Sequence, residues 1–560
     1  MEGALGARAP CPRFSVALYF ALVLRYSPPK VRAARIHPLR IGSNPATVGT
    51  SQLPWSTRHV SRYAGSRTPS LWRLSGPELA AAASAAPPSR AASLPAFTAW
   101  ILASGAKAKG IKANWPGDGK GASLVATRDF PKGSVVCEIP KSLLFTGEAA
   151  FVDPQLGPLL KELQIELNEV SLIALQLLHA AASVRRGERS RWKEYIRILP
   201  DDVNTPVLWP RALRKAMLAG TSLVVETREV RGSMCAEFCR LRRALRQNHR
   251  TDWLARLGLD QSAGTCPFSG RDTPALQRWL LACNLVQSRA YSLQDDDTFT
   301  DPEGNEYESD TLVLAPFIDL AQHDDALDIS VVWGKGFGAA ADSVVLRTQR
   351  ALRAGSQVFS SYGAHSMRSS MLNFGFSTDK QPSTFSFKLA VEHNDPHAPA
   401  KIAVLEAVGL NTGYFEEPDA EGVSGEFMQV LRLLALPNGE ASRLLDGLQS
   451  RINEMNSNDL SDDVAEEMFE DIMDSGINVW DSLAETSSVS IERAGYAMLL
   501  RMCRRHLYAL SHTALHMEAP EEIASMATKA REAETAALNT ILSTARLQAK
   551  RLTGSAAGQS

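Results

Sequence analysis

The stretch Ala315–His323, which reads APFIDLAQH, decides the fold that this sequence predicts. It lies in a part of the chain where short β-like runs alternate with polar or glycine-containing stretches, a pattern typical of β-rich structure. These runs are Leu312–Leu320, Ile329–Trp333, Ser343–Arg347 and Gln357–Ser361. Two further β-like runs, Ala122–Ala126 and Ser134–Ile139, lie far upstream, with a Pro-Lys-Gly turn between them. The chain therefore has two β-rich parts that are distant in sequence.

The residues between and after these parts have the periodicity of helices. Apolar residues recur at spacings of three to five from Pro158 to Arg186, and further helical patterns follow to Ala290. Beyond about Ser386 the chain is mainly helical, and Glu521–Ala549 is predicted to be a long, solvated packing helix. The predicted fold class is therefore α+β, with a helical insert at about residues 155–280 and an all-helical C-terminal part.

The segment Met1–Ser93 has the composition of a targeting leader. It contains eleven arginines and one lysine but only two acidic residues, and it is rich in Ser, Ala and Pro. Its apolar run Ser15–Leu24 is too short to span a bilayer, although it has the length of a signal-peptide core. We expect a disordered leader that directs the chain to a plastid. A mitochondrial or cytoplasmic location, a plain disordered tail and an over-extended gene model are the alternatives.

Charge and cysteine content argue against several classes of protein. After the leader the chain has 48 basic and 59 acidic residues, whereas nucleic-acid binding needs clustered Lys and Arg. Seven cysteines in 560 residues do not form a disulfide framework, and no Cys/His group has zinc-site spacing. We therefore expect a monomer with no nucleic-acid partner, no metal and no stable membrane insertion.

Four segments, in order, resemble the SET-domain family, in the branch that contains the Rubisco large-subunit methyltransferases. The segments are Asp118-Gly119-Lys120-Gly121 before ASLVA, Gln287-Ser288-Arg289-Ala290-Tyr291, APFIDLAQH, and Ser361-Tyr362-Gly363 through Leu372-Asn373-Phe374-Gly375-Phe376. They are similar to the family's Gly-x-Gly loop, its S-R-(A/S)-(F/Y) stretch, its P-x-x-D-x-x-N-H core and its Y-G to Y-G-F segment. The resemblance implies a SET catalytic domain over residues 94–385 and a helical substrate-binding domain over residues 386–560.

The resemblance also implies a chemistry: protein-lysine N-methylation with S-adenosylmethionine as cofactor and Tyr362 as the central catalytic residue. The implied cofactor-binding residues are Gly119, Lys120, Gly121, Arg289, Gln322, His323 and Tyr362. The implied substrate-binding residues are Asp319, Phe317, Tyr291 and Phe374. Glycines permit close backbone approach, an arginine fork pairs with a carboxylate, and an aromatic ring can face a cation. The implied partner is a protein substrate, the Rubisco large subunit or another plastid protein.

Three positions depart from the family pattern. Gln322 and Met367 stand where the family has Asn, and Phe374 stands where it frequently has Tyr. The loss of the tyrosine hydroxyl leaves open the methylation of another nucleophile, such as a histidine ring nitrogen. The two lost asparagines leave open a non-catalytic, SET-derived binding module.

Overall fold

The computed structural model describes residues 89–557 except for several short stretches. These stretches are 118–120, 261–272, 301–305, 328–329, 336–341, 364, 379, 393, 411–413, 419–421, 437–442, 458–461, 485–487 and 514–516. Most of the predicted leader, including Ser15–Leu24, lies outside the described residues. The chain divides into two compact units. The larger unit contains the described part of Ile36–Thr384 together with Ala509–Ala536, and the smaller unit contains Phe385–Tyr508 and the described residues from Ala537 onward.

The described part of the larger unit begins with one helix and three strands. They are α1 (Arg90–Ala103), β1 (Ile111–Asn114), β2 (Ser123–Ala126) and β3 (Val135–Pro140). Helix α1 begins at Arg90 because the Ser89 side chain accepts a hydrogen bond from the Ala92 N–H and so caps the helix. Ser93 and Leu94 are already buried. Folded structure therefore begins before residue 94, where the sequence predicted the end of the leader.

A helical insert follows β3 and a short 3₁₀ turn at Lys141–Leu143. Its helices are α2 (Gly147–Val152), α3 (Leu156–Leu163), α4 (Glu169–Arg185), α5 (Lys193–Ile198), α6 (Arg211–Met217), α7 (Leu223–Gln247), α8 (Thr251–Leu257) and α9 (Pro274–Arg289). The continuous pattern predicted from Pro158 to Arg186 is divided between α3 and α4. Gln164 adopts a left-handed conformation with φ of 47°, and Asn168 caps α4 by accepting from the Ser171 N–H at 2.8 Å.

The second β-rich part adds strands to the sheets begun by the first. Its strands are β4 (Tyr291–Thr300), β5 (Glu306–Val313), β6 (Gln322–His323), β7 (Val331–Trp333), β8 (Ser343–Arg347) and β9 (Gln357–Ser360). The strand orders are β1-β2-β9-β6 and β3-β8-β7, and β4 pairs with β5. Only β6 and β9 pair in parallel, with Gln322 opposite Phe359 and His323 opposite Ser360, among the strand pairings of the described residues. The two β-rich parts therefore share sheets across the intervening insert.

The predicted β run Leu312–Leu320 is correct only in its first residues. Strand β5 ends at Val313, and Ile318–Leu320 form a 3₁₀ turn. Pro316 has no N–H for a strand ladder, and Phe317 has φ of 82°, which no strand residue adopts. The chain turns sharply here and buries Asp319 within the turn.

The smaller unit contains one pair of strands and most of the C-terminal helices. Its elements are β10 (Phe385–Lys388), α11 (Ala398–Ala407), β11 (Tyr414–Glu417), α12 (Gly425–Leu434), α13 (Arg443–Ser457), α14 (Asp462–Ala484) and parts of α15 (Val489–His512) and α16 (Glu521–Ala557). The α+β class and the helical C-terminal region are confirmed. The region is not entirely helical, because β10 and β11 pair in antiparallel fashion and bury Phe385 and Phe387.

The larger unit also includes the segment Ala509–Ala536, so residues 386–560 do not form one separate domain as predicted. Within this segment Ala527 and Ala530 of α16 are buried in the core of the larger unit. The Glu534 carboxylate, also buried, accepts hydrogen bonds from the N–H of Ser222 at 2.9 Å and from its hydroxyl at 2.7 Å. This part of α16 is therefore held by buried contacts and is not solvated all round.

Three further observations concern the described residues alone. None of their helices combines the length and the apolar composition that crossing a membrane requires. No group of three or more His, Cys, Asp or Glu side chains among them is arranged to hold a metal ion. The cysteines at 137, 235, 239, 283 and 503, among the described residues, form no disulfide bonds.

Candidate active site

Tyr362 follows β9 and is fixed through both its side chain and its backbone. Its hydroxyl donates a hydrogen bond to the Ala321 carbonyl at 2.9 Å, and its N–H donates to His323 Nδ1 at 3.1 Å. Both partners belong to the end of APFIDLAQH, which the parallel β6–β9 pairing places beside Tyr362. Two of the four motifs that carry the family resemblance thus meet at this tyrosine.

His323 supports Tyr362 through a defined tautomer. Because its Nδ1 accepts from the Tyr362 N–H, the ring proton lies on Nε2, which donates to Asp325 Oδ1 at 2.8 Å. The other Asp325 oxygen accepts from the Thr378 hydroxyl at 2.9 Å. The sequence identified His323 as a site residue but gave no signal for Asp325, whose role depends on this contact.

Aromatic rings surround the Tyr362 ring. Phe374 and His323 lie at centroid distances of 5.1 Å, and Tyr291 and Phe376 lie at 6.4 Å. Tyr362, Tyr291, Phe374 and Phe376 are half-buried residues, whereas the His323 side chain keeps only 6% of its surface. The structure therefore brings together four predicted site residues, Tyr362, Tyr291, Phe374 and His323. It adds Phe376, which belongs to the motif but was assigned no role.

A buried carboxylate lies beside this aromatic group. Asp319 Oδ2 accepts hydrogen bonds from Arg289 Nη1 at 3.0 Å and from the Tyr195 hydroxyl at 2.8 Å. The Asp319 side chain is fully buried, whereas 21% of the Arg289 side-chain surface is exposed. Part of the Arg289 side chain is therefore still accessible to a ligand. Tyr195 was missed in the sequence because it lies inside the helical insert, far from every motif.

The electrostatic environment keeps the Tyr362 hydroxyl neutral. Desolvation raises the pKa of Tyr362 to about 12; the positive charge of Arg289 lowers it and the negative charge of Asp319 raises it. At neutral pH the hydroxyl therefore keeps its proton, in agreement with its donation to Ala321. Burial also raises the pKa of Asp319, and this rise is opposed by Arg289 and by the hydrogen bond from Tyr195.

Gln322 connects β6 to the loop that precedes β2. Its amide Nε2 donates to the Ala122 carbonyl at 2.9 Å, next to Gly121. Gly121 has φ of 89°, and a Cβ at this position would meet nothing within 4 Å, so its backbone conformation requires glycine while its surroundings are open. Gln322, which stands where the family has Asn, therefore makes a hydrogen bond that connects β6 to the loop before β2. Gly119 and Lys120 lie outside the described residues.

Phe317 lies in the hydrophobic core. Its side chain is fully buried, and its ring stacks on Phe97 at 6.1 Å. The positive φ of Phe317 turns the chain so that this ring points into the core while Asp319 reaches Arg289. Phe317 is therefore packed in the core, and its predicted part in substrate binding stays a prediction.

The segment after Tyr362 contains two further contacts that the sequence did not reveal. Met367 is buried as the first residue of α10 (Met367–Phe374), and its N–H donates to the Pro382 carbonyl at 3.3 Å. Gln287 Nε2 donates to Asn373 Oδ1 at 2.8 Å, which connects α9 to α10. Amide pairing thus exists in this region, at Asn373 and not at position 367.

The residues present fit a ligand that carries a carboxylate, a cationic centre and a flat ring. Asp319 Oδ1 and the Tyr291 hydroxyl are buried without a hydrogen-bond partner of good geometry among the described residues. Buried polar atoms without a partner are uncommon in native proteins, so a bound ligand could add a hydrogen bond at either of these two atoms. The partly exposed Arg289 side chain, the aromatic faces and the open Gly121 loop complete the set.

Comparison with known proteins agrees with this arrangement. Residues 121–363 match the SET domain family. The chain is 26% identical over 330 residues to the chloroplastic [fructose-bisphosphate aldolase]-lysine N-methyltransferase of Arabidopsis thaliana, covering 58% of this chain and 60% of that protein. It is 24% identical over 360 residues to the human actin-histidine N-methyltransferase, covering 63% and 54% respectively. The chain thus spans less than two thirds of the length of these relatives.

The fold is similar to solved structures as well. The SET domain of LSMT bound to lysine and AdoHcy superposes with a TM-score of 0.62 at 21% identity, covering 83% of this chain and 93% of that one. Rubisco LSMT bound to AdoMet superposes with a TM-score of 0.59 at 20% identity, covering 82% and 93%. The predicted SET-type fold with a helical C-terminal region is confirmed. The chain contains a SET domain and is homologous to the Rubisco LSMT-like methyltransferases.

Proposed function

We propose that this chain is an S-adenosylmethionine-dependent protein-lysine N-methyltransferase that acts on a plastid or other organellar protein. The observation that carries the proposal is the position of the Tyr362 hydroxyl. It is held 2.9 Å from the Ala321 carbonyl within a partly exposed aromatic group, beside the Arg289–Asp319 pair.

The described residues suit the binding of S-adenosylmethionine. When bound, this cofactor supplies a methyl group activated by a sulfonium. Arg289 would pair with its carboxylate through the guanidinium, and the backbone near Gly121 and His323 would contact the remainder. Gln322 would act indirectly, because its amide is already bonded to Ala122 and holds β6 against the loop.

The residues around Tyr362 suit the handling of a lysine amine. The amine must lose its proton before it can act as a nucleophile, and an apolar, poorly hydrated wall disfavours the ammonium form. Tyr362 stays protonated at neutral pH and serves to orient groups through its hydroxyl and ring, since its pKa is raised to about 12. The buried Asp319 carboxylate would attract the arriving cation.

Replacing Tyr362 with Phe tests the proposal. A plastid extract is incubated with methyl-labelled S-adenosylmethionine and either the wild-type chain or the variant. We expect labelling to fall by roughly a hundredfold, because loss of the orienting hydroxyl removes a positioning contribution of that order. Tyr508→Phe, at a side chain that is 65% exposed, is the matched control and should label as wild type. Equal labelling by Tyr362→Phe would remove this residue from the mechanism.

Histidine methylation is a second candidate. It is favoured by Phe374, which lies 5.1 Å from Tyr362 without a hydroxyl, and by the actin-histidine relatives. Mass spectrometry of the labelled protein separates the two candidates, since it identifies methyl-lysine or methyl-histidine directly. A binding module without activity would give neither product, and titration calorimetry with S-adenosylmethionine would then register no heat.

The organelle is proposed from the composition of Met1–Ser93 and from relatives whose names include the word chloroplastic. Fusing this segment to a fluorescent protein in a plant cell tests the location. Plastid fluorescence is expected, and mitochondrial or cytoplasmic fluorescence would contradict the proposal.

A further inference from the structure

The buried carboxylate of Asp319 is held at one of its two oxygens. Arg289 Nη1 and the Tyr195 hydroxyl both donate to Oδ2, at 3.0 and 2.8 Å. Oδ1 is buried and has no hydrogen-bond partner of good geometry among the described residues. Two donors that converge on one oxygen fix the rotation of the carboxylate, while Oδ1 has no side-chain donor among the described residues.

The position of Tyr195 is determined by the core and not by the site. The residue lies on α5 of the helical insert and is fully buried. Its ring packs against Phe97 at 6.0 Å and against Phe145 at 5.8 Å. Aromatic packing on both sides holds the ring, so the hydroxyl has a fixed direction toward Asp319.

The charged and titratable groups that face Asp319 come from four parts of the chain. They are Arg289 at the end of α9, Tyr195 on α5, Tyr291 at the start of β4 and Tyr362 after β9. Arg289 is the one cation among them. Because burial raises the pKa of Asp319 while Arg289 and the Tyr195 hydrogen bond lower it, loss of the Tyr195 hydroxyl should raise that pKa further.

We propose that Tyr195 is a positioning residue for the proposed methyl transfer: its hydroxyl holds the Asp319 carboxylate in one rotation, so that Oδ1 is the oxygen left to receive the amine of the protein substrate. The inference rests on the proposed function for the identity of that amine. Under this proposal the helical insert supports the site through Tyr195, which contacts Asp319 but neither the cofactor nor the substrate.

Tyr195→Phe is the informative variant, because it removes the hydroxyl and keeps the ring that the core requires. Transfer of label from methyl-labelled S-adenosylmethionine to a plastid extract is measured from about pH 4 to about pH 9, a range that begins near the ordinary pKa of an aspartate. We expect the acid limb of the profile to move to higher pH by about one unit, which corresponds to roughly tenfold slower labelling on that limb. Labelling near pH 9 should return to within about twofold of wild type on the same reasoning.

A second measurement uses the ligand-free chain and needs no activity. The thermal unfolding midpoint is followed over the same pH range for wild type, Tyr195→Phe, Asp319→Asn and the double variant. A raised carboxyl pKa makes the folded state lose stability as pH rises through that pKa. Tyr195→Phe should therefore move this loss to higher pH, and the effect should vanish when Asp319 is Asn.

The outcomes are distinguishable. The inference would be overturned if Tyr195→Phe had the same pH dependence as wild type in both measurements. It would also be overturned if the variant lost the same fraction of labelling and of stability at every pH. A wild-type chain that labels nothing and binds no S-adenosylmethionine would instead overturn the proposed function. The ligand-free comparison would then still decide whether Tyr195 controls the ionisation of Asp319.

Discussion

Glu534 gives the structure a strong and testable dependence of stability on pH. It is buried on α16 and accepts both hydrogen bonds that Ser222 offers at the start of α7. Burial raises its pKa from 4.5 to about 7; the Ser222 hydrogen bonds and the charge of Arg368 oppose the rise, and the nearby Glu226 adds to it. Folding therefore disfavours ionisation of the Glu534 carboxyl, and the hydrogen bonds from Ser222 offset only part of this effect.

The magnitude follows from this pKa. A rise from 4.5 to about 7 corresponds to about 3 kcal/mol, since each pH unit is worth about 1.4 kcal/mol. Below pH 4.5 the carboxyl is protonated in the folded and the unfolded chain, and its contribution to stability is fully present. As pH rises toward 7 only the unfolded chain releases the proton, so this stability is lost and stays lost at higher pH.

The variant Glu534→Gln tests this reasoning, because Gln can still accept from the Ser222 N–H but cannot ionise. Unfolding of the full chain by urea, followed by tryptophan fluorescence, gives the free energy of unfolding at pH 5 and at pH 8. We expect the stability of the variant relative to wild type to increase by about 2.5 kcal/mol between these two pH values. Glu532→Gln, at an exposed position on the same helix, is the control and should show no such increase. Parallel pH dependence of Glu534→Gln and wild type would refute the argument.

Three further predictions concern Gly375, Gly232 and Gln322. Gly375→Ala should destabilise the chain by about 2 kcal/mol, because φ is 75° and a Cβ would lie 2.6 Å from the Asn204 carbonyl carbon. Gly232→Ala, inside α7 with nothing within 4 Å of the new Cβ, should instead stabilise the chain by about 0.5–1 kcal/mol. Thermal unfolding measures both variants, and equal effects on stability would contradict the different backbone environments described for the two glycines. Gln322→Ala should weaken S-adenosylmethionine binding about fivefold by calorimetry, since it removes a hydrogen bond to Ala122 worth about 1 kcal/mol, and unchanged affinity would mean that this bond does not support the loop.

Local patterns in the sequence were sufficient for most elements and for the central motif residues. Alternating apolar runs predicted β8 and β9, and helical periodicity predicted the insert, because these signals depend on neighbours within a few residues. The errors lie where one residue changes the backbone. Phe317 breaks the predicted β run with a positive φ, and Gln164 divides a helical pattern that looked continuous.

The residues that complete the site could not be inferred in the same way. Tyr195 reaches Asp319 from 124 positions away, and Asp325 matters only because His323 presents its Nε2 proton to it. Neither position has a periodicity or a motif. The assignment of Ala509–Ala536 to the larger unit is of the same kind, since it depends on buried contacts such as that of Glu534 with Ser222.

The sequence by itself determined the α+β class and the order of the four motifs, and the family resemblance of those motifs identified Tyr362, Arg289, Asp319 and His323 as candidate site residues, because a motif is carried by residues close together in the chain. Only the tertiary structure decided that Phe317 belongs to the core and that Tyr195 supports Asp319. The physical reason is that burial and hydrogen-bond partners are set by which distant segments pack together, and no short stretch of sequence specifies its own neighbours in space.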